Sequence, residues 1–173
     1  MGTTEIWTVG HSRHEVSALV DLLRRPGIEV VADVRSHPSS RHNPQFNRNS
    51  LRSSLLAAGI DYVFLGQELG GRPPEPELHD ARGRVLYAEV AKSERFAAGL
   101  ERLLTGATRY RVAILCSEEN PENCHRRLLV GRVLADRGIT VLHIRGDGSV
   151  VSEEDLDRLP EDAAQGALFG PEP

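Results

Sequence analysis

Short apolar runs alternate with stretches of helical period along most of this chain. Ile6-Trp7-Thr8-Val9, ending at Gly10, predicts a first strand. Glu15 to Arg25 carries Val16, Leu19, Val20, Leu22 and Leu23 at amphipathic-helix spacing and stops at Pro26-Gly27. Ile28 to Val34 is a β-branched run of the kind buried on both faces of a sheet. A helix follows from about Asn49 to Ala58, with Leu51, Leu55 and Leu56 on one face, and Asp61 to Leu65 reads as a third strand. Tyr87 to Leu104 is helical by pattern, with Phe96, Leu100, Leu103 and Leu104 inward, and Arg111 to Cys116 is a fourth strand. Pro121 suits a first helical position with Asn120 as its cap. That helix takes in Cys124, Leu128, Leu129, Val133 and Leu134 and ends at Gly138. Ile139 to Ile144 is a fifth strand, and Ser152 caps a short acidic helix, Glu153 to Arg158.

Strands alternating with helices require crossover connections, which predicts an α/β fold in three layers. Its largely parallel, five-stranded sheet carries helices on both faces. Residues 1–160 form one domain in this reading, and 161–173 a flexible, Pro- and Gly-rich tail. In open sheets of this kind ligands bind beyond the carboxyl ends of the strands, so those ends are where chemistry is expected. Two long loops lie there. Arg35 to Asn47 is a loop by turn chemistry, and Gly66 to Gly83, with Gly70-Gly71 and three prolines, has the length of a functional lid.

Composition narrows the classes. The chain has 173 residues, 39% hydrophobic and 27% charged, which is enough for a core and too balanced for disorder. No apolar run approaches the roughly 20 residues that cross a bilayer. The first residues lack a basic stretch followed by an apolar one, so a cytoplasmic address without membrane contact is expected. Two cysteines, Cys116 and Cys124, are too few for a disulfide scaffold. The C-x7-C-H spacing matches no standard zinc pattern, and no metal is expected from it. No dinucleotide fingerprint follows the first strand, and no cofactor is expected. A formal charge of -4 argues against a general polyanion binder. Yet from Asp33 to Arg52 a single acid faces Arg35, Arg41, Arg48 and Arg52, with His37 and His42 among them. That local patch suits a defined anionic substrate.

Four strand ends carry candidate chemistry. The first gives His11 and Ser12; the second Asp33, Arg35 and Arg41; the third leads to Gly70 and Gly71; the fourth gives Cys116, Glu118, Cys124, His125 and Arg126. His11 and His125 are candidate acids or bases near neutral pH, and Asp33 or Glu118 a candidate activating carboxylate. Cys124, near a helix start and beside His125 and Arg126, is a candidate thiolate. Arg35, Arg41 and Arg126 are candidate anion ligands, because guanidinium groups match phosphate or carboxylate oxygens in pairs. Ser12 and Cys116 are expected to line the pocket, and the two glycines to let backbone approach a ligand. The C-x5-R phosphatase loop is absent.

The strings TVGHS, DVRSHPSSR with Phe46 downstream, LGGRP and LCSEENPENCHR resemble the segments that mark domain of unknown function family 488. The resemblance runs from about Ile6 to Ile144. It implies a compact α/β fold with a Cys/His/Arg site and no settled activity.

From the residues, the leading expectation is an enzyme acting on nucleic acid or a nucleotide-like anion, in DNA repair or maintenance. Its acid–base chemistry would be hydrolase- or lyase-type, on a glycosidic or phosphoester bond, with Phe46 available for base stacking. The alternatives are a small-molecule enzyme with a cysteine nucleophile and a non-catalytic nucleic-acid or sliding-clamp adaptor. In the tail, Gln165-Gly166-Ala167-Leu168-Phe169 resembles the Q-x-x-L-F peptide by which many bacterial replication and repair proteins dock on the sliding clamp. Gln165, Leu168 and Phe169 are the candidate partner-binding residues.

Overall fold

The computed structural model describes residues 4–158. Gln165, Leu168 and Phe169 lie outside them. Five parallel strands form the sheet's body: β1 (Glu5–Gly10), β2 (Val30–Asp33), β3 (Asp61–Phe64), β4 (Val112–Cys116) and β5 (Thr140–Ile144). A sixth, β6 (Val150–Ser152), pairs antiparallel with β5, so the sheet has six strands where the sequence pattern predicts five. The order is β3-β2-β4-β1-β5-β6. The extra strand is three residues long and too short to show a period. Its pairing comes from the turn, where the Arg145 N–H donates to the Ser149 carbonyl and Gly148 takes a φ of 87°.

Side chains alternate across the sheet, and each set is covered by different helices. Trp7, Val31, Ala113 and Leu115 pack with Leu19, Leu22 and Leu23 of α1 (Val16–Arg24) and with Leu51 and Leu55 of α2 (Arg48–Ala57). Ile6, Ala32, Val112 and Ile114 face the other way. They meet Leu69 of α3 (Gly66–Leu69), Val90 of α4 (Tyr87–Val90), Phe96, Leu100 and Leu103 of α5 (Glu94–Ala107), and Leu134 of α6 (Arg132–Asp136). Truncating a fully buried leucine such as Leu55 or Leu100 to alanine is worth about 2–5 kcal/mol.

The single helix expected over 87–104 is two. Ser93 interrupts it with extended backbone (φ -69°, ψ 145°), donates its hydroxyl to the Val90 carbonyl and accepts from the Phe96 N–H. Asn120 does accept from the Glu122 N–H, but Pro121–Asn123 is only a 3-10 turn. Cys124 is extended (φ -114°, ψ 140°), and Arg126–Gly131 winds in π-helical turns before α6. Cys124 therefore stands ahead of the helix, not in it. The short α7 (Glu153–Arg158) closes the described chain, capped as expected by Ser152, which accepts from the Asp155 N–H.

The helices after β1 and β2 cover one face, and those after β3 and β4 cover the other. The chain from β2 and the chain from β4 thus leave the sheet edge in opposite directions although the two strands are neighbours. Such a divergence opens a crevice beyond the strand ends.

Candidate functional site

A cleft of about 430 Å³ occupies this crevice. Its walls come from the loop after β2 (Arg35, Ser36, His37, Ser39, Ser40), from Gly71 and Arg72 past α3, from Tyr87 of α4, and from the segment after β4 (Cys116, Ser117, Glu118, Asn123, Cys124, His125).

Cys116 ends β4 in the depth of the cleft, and its Sγ lies 3.6 Å from His125 Nδ1. His125 Nε2 is 3.0 Å from the Val34 carbonyl oxygen. A carbonyl can only accept, so Nε2 carries a proton and Nδ1 is left to share one with the thiol. The ring is pinned from the other side by Gly71, where a Cβ would stand 2.6 Å from His125 Cγ. The Cys116 thiol is held well below the ordinary thiol range. The neighbouring Cys124 thiol contributes most; the hydrogen bond and charge of His125 and the Ser117 backbone add to it and outweigh burial. Cys124 is pushed upward by Cys116 and by burial. The two shifts run in opposite directions, and of the two sulfurs it is Cys116 that the His125 ring reaches. Tyr87, which lines the same cleft, is also raised, first by burial and then by the two sulfurs.

The remaining candidates sort by what already engages them. Asp33 is fully buried and its carboxylate accepts four hydrogen bonds: from Arg35 Nε (2.9 Å), Arg35 Nη2 (2.7 Å), the Arg35 N–H (3.1 Å) and the Tyr62 hydroxyl (2.7 Å). Arg35 borders the cleft, and its guanidinium is anchored by Asp33 and by His11 Nε2 at 3.2 Å. His11 donates Nδ1–H to the Ser12 carbonyl at 2.8 Å and stacks on Phe46 with ring centroids 4.4 Å apart. Burial lowers its pKa. Phe46 is wholly buried, so the exposed stacking platform expected of it is not there. These residues form a closed polar chain beneath the site, and His11 and Asp33 do not line the cleft.

Arg126 is completely buried. It donates to the Thr8 hydroxyl (2.9 Å) and to the carbonyls of Glu118 (3.1 Å) and Glu119 (2.7 Å), bracing the segment that follows Cys116. That leaves a framework guanidinium where a ligand-facing one was expected. Glu118 is exposed on the cleft rim, and Arg41 is exposed in the loop after β2 but is not among the lining residues. Ser12, with φ 47°, donates its N–H to the Ser117 carbonyl at 2.9 Å and ties the β1 loop to the β4 segment. Gly70 packs where a Cβ would meet Ser36 Oγ at 2.3 Å, whereas Gly71 does border the cleft. Thus Cys116, Cys124, His125, Gly71, Glu118 and Arg35 meet at one cleft. Ser36, Arg72, Tyr87 and Asn123 join them without having been singled out from sequence. Arg72 falls in the excursion flagged by its length, but nothing in the pattern marks Tyr87.

Fold and site together define a three-layer α/β protein with a cysteine–histidine pair at the crevice where its strand connections diverge. The chain belongs to the family described as Domain of unknown function DUF488, whose model matches residues 15–133. That span holds three of the four resembling segments, DVRSHPSSR, LGGRP and LCSEENPENCHR. No curated protein and no solved structure matches the chain. Among the described residues no helix is long and apolar enough to cross a membrane.

Proposed function

We propose that this chain is a thiol-dependent enzyme in which Cys116 attacks an electrophilic centre of a small polar substrate. The observation that carries the reading is the 3.6 Å approach of Cys116 Sγ to a His125 ring whose far nitrogen is fixed on the Val34 carbonyl. Nucleophile, base and orienting group stand in the arrangement that covalent catalysis uses. In the first step the Cys116 proton passes to His125 Nδ1 as the sulfur bonds to the substrate's electrophilic atom, and the bond to the leaving group breaks as His125 returns that proton to it. Water or a second acceptor then takes the group from sulfur. The cleft volume of about 430 Å³ suits a small molecule. Ser36, Ser39, Asn123 and Arg72 on its walls supply donors for a carboxylate or phosphate.

The test is intact-mass analysis of protein incubated with activated esters, thioesters and thiosulfonates in the presence of chelator. A single adduct on Cys116, absent in Cys116→Ser and formed more slowly in His125→Gln, supports the reading. Labelling of Cys124 instead, or none at all, overturns it.

A second reading, action on nucleic acid in DNA repair or maintenance, is favoured by a different observation. No acid occurs between Val34 and Ile60, while Arg41, Arg48 and Arg52 are exposed there. Salt-sensitive DNA binding lost in an Arg41→Ala, Arg48→Ala double variant supports it. On this reading the Gln165–Phe169 peptide docks the chain on a sliding clamp. Hydrolase- or lyase-type chemistry would then turn on Glu118 or His125, because the Asp33 carboxylate is already saturated.

A further inference from the structure

The Cys116 and Cys124 sulfurs and a ring nitrogen of His125 lie within 4.8 Å of one another. Two of these donors already have the spacing of a coordination edge. A tetrahedral zinc ion with Zn–S of about 2.3 Å and Zn–N of about 2.05 Å separates adjacent sulfur and nitrogen ligands by about 3.6 Å. The Cys116 Sγ to His125 Nδ1 distance is 3.6 Å. The outer nitrogen is also placed as a metal-bound histidine requires, since Nε2–H donates to the Val34 carbonyl and fixes Nδ1 as the ligating atom. Gly71 prevents the ring from swinging aside only because its missing Cβ lets the backbone press against the imidazole. All three side chains line the cleft, so a fourth position faces open space.

We propose that Cys116, Cys124 and His125 form a binding site for a thiophilic divalent cation, Zn²⁺ foremost, with its fourth coordination position open to the cleft. Two sulfurs and an imidazole are a soft set, which selects Zn²⁺ over Mg²⁺ or Ca²⁺. Three protein ligands and one free position are the composition of a zinc site that admits water or a substrate group. The C-x7-C-H spacing hides this from pattern reading. Cys124 and His125 are adjacent in the chain, and only the change from extended backbone at Cys124 to helical backbone at His125 turns both toward Cys116. The site shares residues with the thiol reading but does not rest on it. Metal on Cys116 Sγ occupies the lone pair that would attack, so the loaded and metal-free proteins differ in thiol reactivity.

The experiment is a Co²⁺ titration of the reduced, chelator-treated full-length protein, followed by absorption spectroscopy. One equivalent should produce sulfur-to-cobalt charge-transfer bands and the intense visible bands of tetrahedral Co²⁺. Zn²⁺ should abolish them and Mg²⁺ should not. The bands should vanish in Cys116→Ser and in Cys124→Ser, with circular dichroism reporting whether each variant folds. Should a variant unfold, X-ray absorption of the zinc-loaded wild type decides. Two sulfur ligands and one imidazole sustain the site; an all-oxygen shell overturns it. Absence of the bands, or their survival in either cysteine variant, also overturns it. Alkylation of the metal-free protein with iodoacetamide keeps the two proposals apart. Selective Cys116 alkylation without cobalt bands leaves the thiol reading standing and removes the metal site, and bands without selective alkylation do the reverse.

Discussion

Gly71 and His125 are packed so closely that a methyl group on the glycine would stand 2.6 Å from the imidazole Cγ and 2.8 Å from Cβ. The connection that follows β3 therefore sets the position of a side chain delivered by the connection that follows β4. The histidine in turn reaches Cys116 on one edge and the Val34 carbonyl on the other. Three separate strand ends fix one proton-sharing pair.

Gly71→Ala should displace His125 while leaving the fold intact. The cost of the extra atom is about 1–3 kcal/mol. A displacement of the base by about 1 Å should slow the Cys116 reaction by about a hundredfold. Iodoacetamide alkylation in chelator, with a urea melt in parallel, checks both. An alkylation rate equal to wild type would show that the ring is not needed where it stands.

Asp33→Asn separates two roles for this carboxylate. As placed, Asp33 is the partner of a buried guanidinium and accepts four hydrogen bonds. Removing its charge leaves Arg35 uncompensated, at a cost of about 3–5 kcal/mol. Tyr62→Phe removes a single bond to the same carboxylate and should cost about 1–2 kcal/mol. Urea denaturation measures both. If Asp33→Asn instead kept full stability and lost only turnover, the carboxylate would be a base and its place in the framework incidental.

The same residues show how far the sequence could be read. The parallel sheet, both helical layers and the strand-end position of the site follow from periodicity, because each buried face repeats every two or every 3.6 residues. Cys116, Cys124, His125 and Gly71 could be named as site residues because they sit at strand ends and in short connections. What could not be read is direction. Arg126 and Arg41 look alike in sequence, yet one is buried under the site and the other exposed. The difference depends on carbonyls at Glu118 and Glu119 that only the folded loop turns inward. Likewise Phe46 carries no sign that His11 will cover it. The break at Ser93, which splits the expected helix and leaves Tyr87 on a short helix of its own, is a local event that propensity leaves undecided.

Arg126→Lys tests whether that guanidinium is framework. One ammonium cannot reach Thr8 and two carbonyls on diverging directions. Loss of charge-assisted bonds should cost about 2–3 kcal/mol. The loosened 117–123 segment should also exchange its amide hydrogens faster than in wild type, which hydrogen exchange would report. A variant as stable as wild type, with weaker binding of inorganic phosphate, would return Arg126 to the role of an anion ligand.

The Arg126 network continues to the far edge of the sheet and makes stability depend on pH. In the neutral ring that burial favours, Thr8 Oγ1 accepts from Arg126 and gives its proton to His143 Nδ1 at 2.8 Å, and His143 Nε2–H donates to Glu153 Oε2 at 2.7 Å. The ring faces Glu153, Arg126 and Arg127. Burial lowers its pKa from the ordinary 6.5 by more than the Glu153 hydrogen bond raises it. Burial would raise Glu153, but the His143 hydrogen bond and the Arg127 charge hold it below 4.5. Both shifts have one sign, since each group binds its proton more weakly folded than unfolded. Below pH 6.5 the unfolded chain protonates His143 while the fold resists, so stability falls as pH drops toward the folded value. Below 4.5 Glu153 adds a second decline. His143→Gln offers an acceptor to Thr8 and a donor to Glu153 without a titrating ring. Urea melts at several pH values between 7 and 5 should show a shallower loss of stability in that variant than in wild type. Buried His11, also lowered, keeps part of the slope. An unchanged slope in His143→Gln, or a wild type more stable at pH 5 than at 7, would show that the ring is not held neutral by this chain of bonds.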